Sequence, residues 1–339
     1  MTDGDWVVTG YAVTMTGGDF AQTVSAALKA RGMSIRGAAR ELVYDHAYLC
    51  RVLAGKQLPS PQLAEALDRL LDAGGELVNL AASLAEDEGG RVAYAIDHPS
   101  RIDGRAVKTL GDILAAQRRL DDTLGPSPLI GPVEAQTATL LSLLKDVRGP
   151  HRDALAEVAA ESVQFAGWLY ASTRQDAKAV KRLTEAEELA DEAGSGTLAA
   201  QALNFRGYIA RQQGNPRGMV RWFSAAYYTP GASAPQRMGD AAQVAQGLGE
   251  LGQTDAARRL LDEAMALSDA AQDQPPGTAY WLTPNFQRLN LGLAHLGLKA
   301  YADAADHIRA GLAGLPADQQ RAPWTKEHRD ALAQAEAHC

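Results

Sequence analysis

The chain has 339 residues, of which 46% are hydrophobic and 22% charged, and its formal net charge is −8. This length exceeds the usual size of a domain with one hydrophobic core, so we expect at least two domains. The composition excludes disorder along the whole chain. No apolar run approaches the roughly eighteen residues of a transmembrane helix, so no membrane partner is expected. With only two cysteines, Cys50 and Cys339, a disulfide framework is excluded and a cytoplasmic location is favoured.

The charge is unevenly distributed along the chain. Residues 1–19 carry a net charge of −3, residues 20–60 carry six bases and two acids, or +4, and the remainder carries −9. A small basic module attached to an acidic body indicates local contact with a polyanion. Abundant alanine and few aromatic residues (6%) favour an all-α fold.

The N-terminal part predicts a flexible lead over residues 1–18 and four short helices within residues 19–77. Ser34 has the position of an N-cap before a helix over 35–42, and Asp45 before a helix over 46–54. Ser60 and Pro61 open the fourth helix, because proline is favoured at the first helical position. Four helices in so short a stretch predict a compact domain.

Residues 34–56 resemble the helix-turn-helix of lambda-repressor-like (Xre family) regulators. Ala39 stands where two helices would meet, and Leu42, Leu49 and Val52 would hold the second helix across the first. The resemblance covers about residues 20–75 and implies that the helix after Asp45 enters the major groove of double-stranded DNA. Asp45 is a departure, since its carboxylate repels phosphate where a hydroxyl residue is common.

The resemblance also implies roles for individual side chains. Arg51 could offer a bidentate fork to guanine, and Ala47 could lie beside a thymine methyl group. Phosphate contacts would fix the register without reading sequence. The base-facing positions are His46, Ala47, Tyr48 and Arg51, and the phosphate-facing positions are Arg36 and Lys56. The alternative is a four-helix protein-interaction module whose basic residues form a solvated face.

Residues 78–105 are predicted to be a linker, and residues 106–339 a helical-repeat domain for ligand binding and dimerisation. Amphipathic helices are expected over 106–124 and 131–148. Beyond these, small residues recur at Gly167, Gly207, Ala245 and Gly292, with Leu183, Phe223, Leu261 and Ile308 sixteen positions later. This spacing predicts repeated units of helix, tight turn and helix, which stack into an α-solenoid.

The repeats resemble the tetratricopeptide repeat over about residues 150–316, with a capping helix over 324–338. Gly167 and Tyr170 fit its first helix, and residues 252–265 fit its turn and second helix. The periods of 40, 38 and 47 residues are longer than the family's roughly 34, and Val163 replaces the expected tryptophan.

In such domains the first helix of each hairpin lines a groove. Amide side chains there can grip a peptide backbone, aromatic rings offer stacking surfaces, and Arg211 could take a carboxylate. The alternative for each position is an ordinary surface or packing residue. The predicted groove residues are Gln164, Trp168, Gln201, Asn204, Tyr208, Arg211, Gln246, Phe286 and Asn290.

No catalytic motif is recognised. The sequence has no phosphate-binding loop with glycine-lysine-serine or -threonine, no nucleophile elbow and no histidine pair at helical metal spacing. We therefore expect neither catalysis nor a cofactor nor a metal site.

The order of the two parts resembles bacterial peptide-sensing regulators and a group of actinobacterial regulators. It implies a sequence-specific transcription regulator that reads an inverted-repeat operator as a homodimer and senses a peptide or small-molecule effector. The alternative is a tetratricopeptide-type protein-interaction scaffold without specific DNA binding.

Overall fold

The computed structural model describes residues 17–54, 57, 59–86, 88–272, 275 and 279–339. Within these ranges the chain forms α-helices and short 3-10 helices and no strand, which confirms the predicted all-α class. It divides into two compact units, residues 1–109 and residues 110–339. Most of the predicted flexible lead lies outside the described residues, and the first helix begins at Gly17.

The described residues of the first unit form six complete helices, one 3-10 turn, Pro99–Arg101, and the start of a seventh helix. Its first four helices lie where the capping signals predicted them. The side chains of Ser34, Asp45 and Ser60 accept backbone N–H groups at helix starts, so four otherwise unpaired donors of the first turns are satisfied locally. The helices are α1 (Gly17–Ala30), α2 (Ile35–Glu41), α3 (His46–Leu53), α4 (Pro61–Leu71), α5 (Glu76–Glu86) and α6 (Glu88–Asp97).

The segment predicted as a linker, residues 78–105, is mostly helical, and the expected domain boundary at residue 77 requires correction. Leu77 and Ala81 of α5 are buried in the same core as Val24 and Leu49. The carboxylate of Asp68 accepts the N–H groups of Gly75 at 2.8 Å and Leu77 at 2.9 Å, which anchors α5 to α4. The acidic and glycine-rich residues further along obscured this apolar helix face.

The second unit continues from α7 through a series of packed helices. The predicted helices over 106–124 and 131–148 are confirmed as α7 (Gly104–Leu124) and α8 (Ile130–Asp146). The remainder are α9 (Arg152–Ser172), α10 (Asp176–Glu192), α11 (Gly196–Gln212), α12 (Pro216–Tyr228), α13 (Ala234–Glu250), α14 (Thr254–Ala266), α15 (Pro284–Gly297), α16 (Tyr301–Gly314), α17 (Ala317–Gln320) and α18 (Lys326–Glu336).

Four helical hairpins in this unit share one turn geometry. Three residues separate α9 from α10, α11 from α12, α13 from α14 and α15 from α16. The middle residue of each turn is left-handed, with φ of 60° at Arg174, 62° at Gly214, 74° at Gly252 and 59° at Lys299. The following N–H bonds to a carbonyl five residues back, as from Gln175 to Tyr170 at 2.9 Å. This left-handed helix ending recurs in all four units, as expected for a structural repeat.

The small residues of the predicted repeat lie where the paired helices touch. A Cβ atom added to Gly167 would lie 2.7 Å from Leu183, one added to Gly207 would lie 2.5 Å from Phe223, and one added to Gly292 would lie 2.4 Å from Ile308. Real Cβ contacts are not this short, so glycine is required for these approaches. The predicted spacing of sixteen residues thus corresponds to the contact between the two helices in these three hairpins, and in the hairpin α13–α14 Ala245 and Leu261 are buried in the same cluster.

The third period is longer because of an insertion. Residues 267–283 separate α14 from α15, and they include the 3-10 helix Ala270–Gln272. The described end of this insertion, residues 279–282, supplies side chains to the site considered below. A search of the described residues finds no helix that is both long and apolar enough to span a bilayer.

Substituting Gly207 tests the hairpin contact. We expect Gly207→Ala to lower the free energy of unfolding by about 1–3 kcal/mol, because its methyl group would overlap the Phe223 ring. Urea unfolding followed by tryptophan fluorescence measures this, and the described tryptophans all lie in the second unit.

Gly131→Ala is the matched control, since nothing lies within 4 Å of an added Cβ there. It should be neutral or slightly stabilising, because alanine favours helix. In a Phe223→Leu background the cost of Gly207→Ala should shrink. An equal cost in both backgrounds would contradict the proposed overlap.

Candidate functional site

Helix α3 is held in place by local contacts with α2 and the turn before it. Ala39 and Leu49 are buried between the helices. The N–H of Tyr44 bonds to the carbonyl of Ala39 at 2.9 Å, which closes α2. The carboxylate of Asp45 accepts the N–H groups of Ala47 at 3.2 Å and Tyr48 at 3.0 Å. Helix α3 therefore has a defined start and a defined face toward solvent.

The predicted DNA-contacting residues differ in their exposure. Arg36 and Ala47 are exposed, and His46 and Arg51 are half-buried. The Nε of Arg51 donates to the side-chain oxygen of Gln57 at 3.0 Å, whereas Nη1 and Nη2 have no partner among the described residues. The terminal fork of Arg51 thus remains available to a base edge. Lys56 lies outside the described residues.

Tyr48 does not lie where the sequence predicted it. Its ring packs against the buried core of the first unit, and its hydroxyl accepts the N–H of Ser60 at 3.1 Å. The predicted base-facing role of Tyr48 is therefore corrected to a positioning role, in which it ties α3 to the start of α4. His46 is also engaged locally, with Nε2 at 3.5 Å from the sulfur of Cys50.

A cavity of about 110 Å³ lies within the second unit, and we call it the aromatic cavity. Its walls come from the first helices of the four hairpins together with α7, the insertion before α15 and the C-terminal helix. The lining residues are Arg118, Asp121, Asp122, Phe165, Trp168, Gln201, Asn204, Phe205, Tyr208, Arg211, Gln236, Gly239, Gln243, Tyr280, Trp281, Leu282, Phe286, Asn290, Trp324, Glu327 and His328.

Seven of the nine predicted groove residues line this cavity, and two do not. Gln164 lies behind the wall, where it accepts from Arg118 at 2.5 Å and donates to Gln201 at 2.8 Å. Gln246 lies about one helical turn beyond Gln243 and lines a separate, open depression. Its side-chain N–H donates to Glu250 at 2.9 Å. The placement of Gln246 in the groove is therefore corrected. The seven are Trp168, Gln201, Asn204, Tyr208, Arg211, Phe286 and Asn290.

Aromatic rings and carboxylates meet at one side of the cavity. The Trp168 ring centroid lies 5.1 Å from that of Phe205 and 5.0 Å from that of Tyr208. The indole N–H of Trp168 donates to Asp121 Oδ2 at 2.8 Å. Asp122 accepts from the Trp324 indole at 2.9 Å and from the Tyr280 hydroxyl at 2.6 Å. These bonds orient the rings edge-on to the acids and leave their faces as the apolar surface.

Two arginines complete the wall. The guanidinium carbon of Arg118 lies 4.8 Å from the Phe165 ring centroid and 5.1 Å from that of Trp281, and the group also donates to the carbonyl of Glu161 at 3.2 Å. Arg211 forms an ion pair with Glu327 at 2.7 Å. It also donates to Gln243 at 2.7 Å, so its charge is neutralised within the protein.

Burial shifts the protonation of several groups here. It raises the pKa of Asp121 to about 6 and also raises the pKa of Asp122. It lowers the pKa of His328 to about 4, so this imidazole is neutral at pH 7. One nitrogen of His328 is directed to the backbone carbonyl of Trp324, and the other has no hydrogen-bond partner among the described residues, although the residue is 4% exposed and lines the cavity.

A further buried acid lies behind the cavity wall. Asp240 is fully buried, and its partners are the amides of Asn204 at 2.6 Å and Gln236 at 3.0 Å. Burial raises the pKa of this carboxyl to about 7, because amide donors only partly offset the loss of hydration.

The repeat pattern in the sequence did not predict several of the residues that line the cavity. Arg118, Asp121 and Asp122 belong to α7, and Tyr280 and Trp281 belong to the insertion. The 47-residue spacing between Ala245 and Gly292 indicated an insertion. It did not indicate where Tyr280 and Trp281 of that insertion would lie.

Comparison with known proteins concerns the first unit alone. Residues 20–81 match the family model described as a helix-turn-helix domain. This match includes α5 up to Ala81, in agreement with the core of the unit. Neither the curated proteins nor the solved structures contain a match to the chain. A helix-turn-helix domain suggests a DNA-binding regulator.

Removal of the Tyr48 hydroxyl tests its corrected role. Tyr48→Phe should weaken the first unit by about 1 kcal/mol, through loss of the bond from Ser60, without changing the bases that the protein selects. Hydrogen exchange of peptides from residues 20–81 measures the stability. Tyr44→Phe is the control, because its hydroxyl has no hydrogen-bond partner among the described residues. An altered base preference with unchanged exchange would restore the base-facing interpretation.

Asp240 gives the second unit a pH dependence. Its folded pKa lies above the unfolded value of about 3.9, so its stabilising contribution is complete below pH 4 and declines as pH rises through about 7. Asp240→Asn should make the decline shallower and leave the part that Asp121 contributes, and melting temperatures from pH 4.5 to 8 measure it. The exposed Asp262→Asn is the control and should retain the wild-type slope. An unchanged slope in Asp240→Asn would contradict the assignment.

Proposed function

We propose that the protein is a cytoplasmic, sequence-specific transcription regulator of the Xre type, whose tetratricopeptide-like unit binds an effector in the aromatic cavity. The observation that carries this proposal is the solvent-facing surface of α2 and α3 in a matched helix-turn-helix domain, where Arg36, Ala47 and Arg51 lie. Its role is recognition, and no catalytic activity is proposed.

In this proposal α3 enters the major groove. The free Nη atoms of Arg51 offer two parallel donors to guanine O6 and N7, a contact that discriminates by about 1–3 kcal/mol. Ala47 would contact a thymine methyl group, and His46 would be a lesser donor because of its contact with Cys50. Arg36, together with Lys56, would bind phosphates and set the register.

We further propose that the regulator acts as a homodimer on an inverted repeat. A single domain of this kind reads only a few base pairs, and two-fold symmetry doubles the site. Half-site centres would then lie one or two helical turns apart, at about 34 Å per turn.

An effector in the aromatic cavity would alter operator affinity by binding one state of the dimer more tightly than the other. By linkage, operator DNA would change effector affinity by the same factor. A largely pre-formed cavity with a few convergent polar groups is typical of small-ligand sites, which supports this part of the proposal.

Selection of binding sites from random duplexes tests the proposal. The full-length chain at about physiological salt should enrich a two-fold symmetric motif. Arg51→Ala should lose selectivity at one position of each half-site, because it removes one base contact. Arg36→Ala should instead weaken binding to all sequences and reduce the slope of affinity against salt by about one.

Arg258→Ala, an exposed arginine in the second unit, is the matched control and should select the wild-type motif. A folded protein that enriches no motif, with or without cell extract, would overturn the regulator proposal. It would favour the alternative of a protein-interaction scaffold.

A further inference from the structure

We infer that the aromatic cavity binds an amphipathic organic cation, a compact molecule with a flat apolar body and a protonated amine that is held at Asp121. The inference rests on the proposed function, since it names the chemical class of the effector. It follows from the aromatic rings, from the charged residues and from one imidazole nitrogen that has no partner among the described residues.

The rings define the apolar body of the ligand. Trp168, Phe205 and Tyr208 form one cluster, and Phe286 and Trp324 form another with their centroids 5.7 Å apart. The indole and phenol polar atoms of Trp168, Trp324 and Tyr280 are already bonded to acids. What these side chains offer a ligand is therefore mainly ring surface, which favours planar apolar groups and attracts cations.

The charged residues leave an excess of negative charge. Arg211 and Glu327 neutralise each other in an ion pair. Arg118 is the remaining cation, and Asp121 and Asp122 are the remaining acids, so the lining carries one uncompensated carboxylate. Rings pack over Arg118, and its Nη2 donates to Gln164 and to the carbonyl of Glu161. This cation is therefore a part of the wall.

Asp121 is the acid with unused bonding capacity. Both oxygens of Asp122 accept hydrogen bonds, from Trp324 and from Tyr280. Asp121 accepts one hydrogen bond among the described residues, from Trp168 to Oδ2. An ammonium group that donates to Oδ1 would complete its bonding and supply the missing positive charge. The raised pKa of Asp121 agrees, because it indicates that Arg118 does not compensate for burial.

His328 adds a second polar contact without repelling a cation. Its buried imidazole is neutral at pH 7, and its protonated nitrogen is directed to the backbone carbonyl of Trp324. The unprotonated nitrogen has no hydrogen-bond partner among the described residues, and a buried polar atom without one is costly unless a ligand or water satisfies it. This nitrogen can accept a hydrogen bond from a ligand N–H or O–H group.

The same features disfavour an anionic ligand. A carboxylate placed beside the rings would face Asp121 and Asp122, and the guanidinium of Arg211 is already occupied by Glu327 and Gln243. The cavity volume of about 110 Å³ fits a compact ligand and excludes a long extended chain.

Three matched probes test the inference by calorimetry with the full-length chain at pH 7.5. They share one naphthalene ring and differ in charge: 1-naphthylmethylamine, 1-naphthylmethanol and 1-naphthoate. We expect the amine to bind at least tenfold more tightly than the other two. Asp121→Asn keeps an acceptor for Trp168 but loses the charge, so it should weaken amine binding at least tenfold and alter methanol-probe binding by less than twofold.

Asp262→Asn, an exposed acid on α14, is the matched control and should bind all three probes as the wild type does. A melting curve first establishes that each variant is folded. Tightest binding of the naphthoate, equal binding of all three probes, or no binding to folded protein would each overturn the inference.

The outcome is independent of the DNA experiment. An enriched operator with no preference for the amine would leave the regulator proposal standing and end the cation proposal. Amine binding that depends on Asp121, without any enriched operator, would support the cation-binding cavity and overturn the regulator proposal.

Discussion

Three of the four hairpins described in the second unit depend on one contact, in which a large apolar side chain touches the backbone of the preceding helix. Leu183, Phe223 and Ile308 reach Gly167, Gly207 and Gly292 at distances that leave no room for a Cβ atom. The contact fixes the position of the second helix along the axis of the first. Since the three-residue turn recurs as well, the first helices of successive hairpins present the same face, and that face lines the aromatic cavity.

The cavity wall combines apolar rings with polar groups that are bonded to each other across helices. Arg118, Gln164 and Gln201 form one chain of hydrogen bonds, and Gln236, Asp240 and Asn204 form another. Such networks stabilise a wall only when most members are satisfied, because an unpaired buried polar group is costly. Outside these two chains, Asp121 Oδ1 and one nitrogen of His328 line the cavity without a hydrogen-bond partner among the described residues.

The helix-turn-helix unit follows a different principle, in which short-range caps and a small core fix one exposed helix. Asp45 begins α3, Tyr48 ties it to the start of α4, and Asp68 joins α4 to α5. These contacts direct Tyr48 inward, and the terminal nitrogens of Arg51 have no partner among the residues that the structure describes. The turn before α3 carries Val43 at φ 57° with its side chain 92% exposed, a conformation that β-branched residues rarely adopt. Nothing in the structure explains why valine occupies this left-handed position.

Local signals in the sequence were sufficient to predict the helix starts at Ser34, Asp45 and Ser60. They also predicted the hairpin repeat and most of the helix face that lines the cavity. Capping and helical periodicity depend on neighbours within a few turns, so a local pattern records them. The tertiary structure decided the rest. Asp122 meets Tyr280 and Trp324 across 158 and 202 residues of chain, and α7 and the insertion carry no repeat pattern. Tyr48 likewise turned inward because of a partner on α4. Contacts between segments so far apart depend on the path of the whole chain, which no local pattern records.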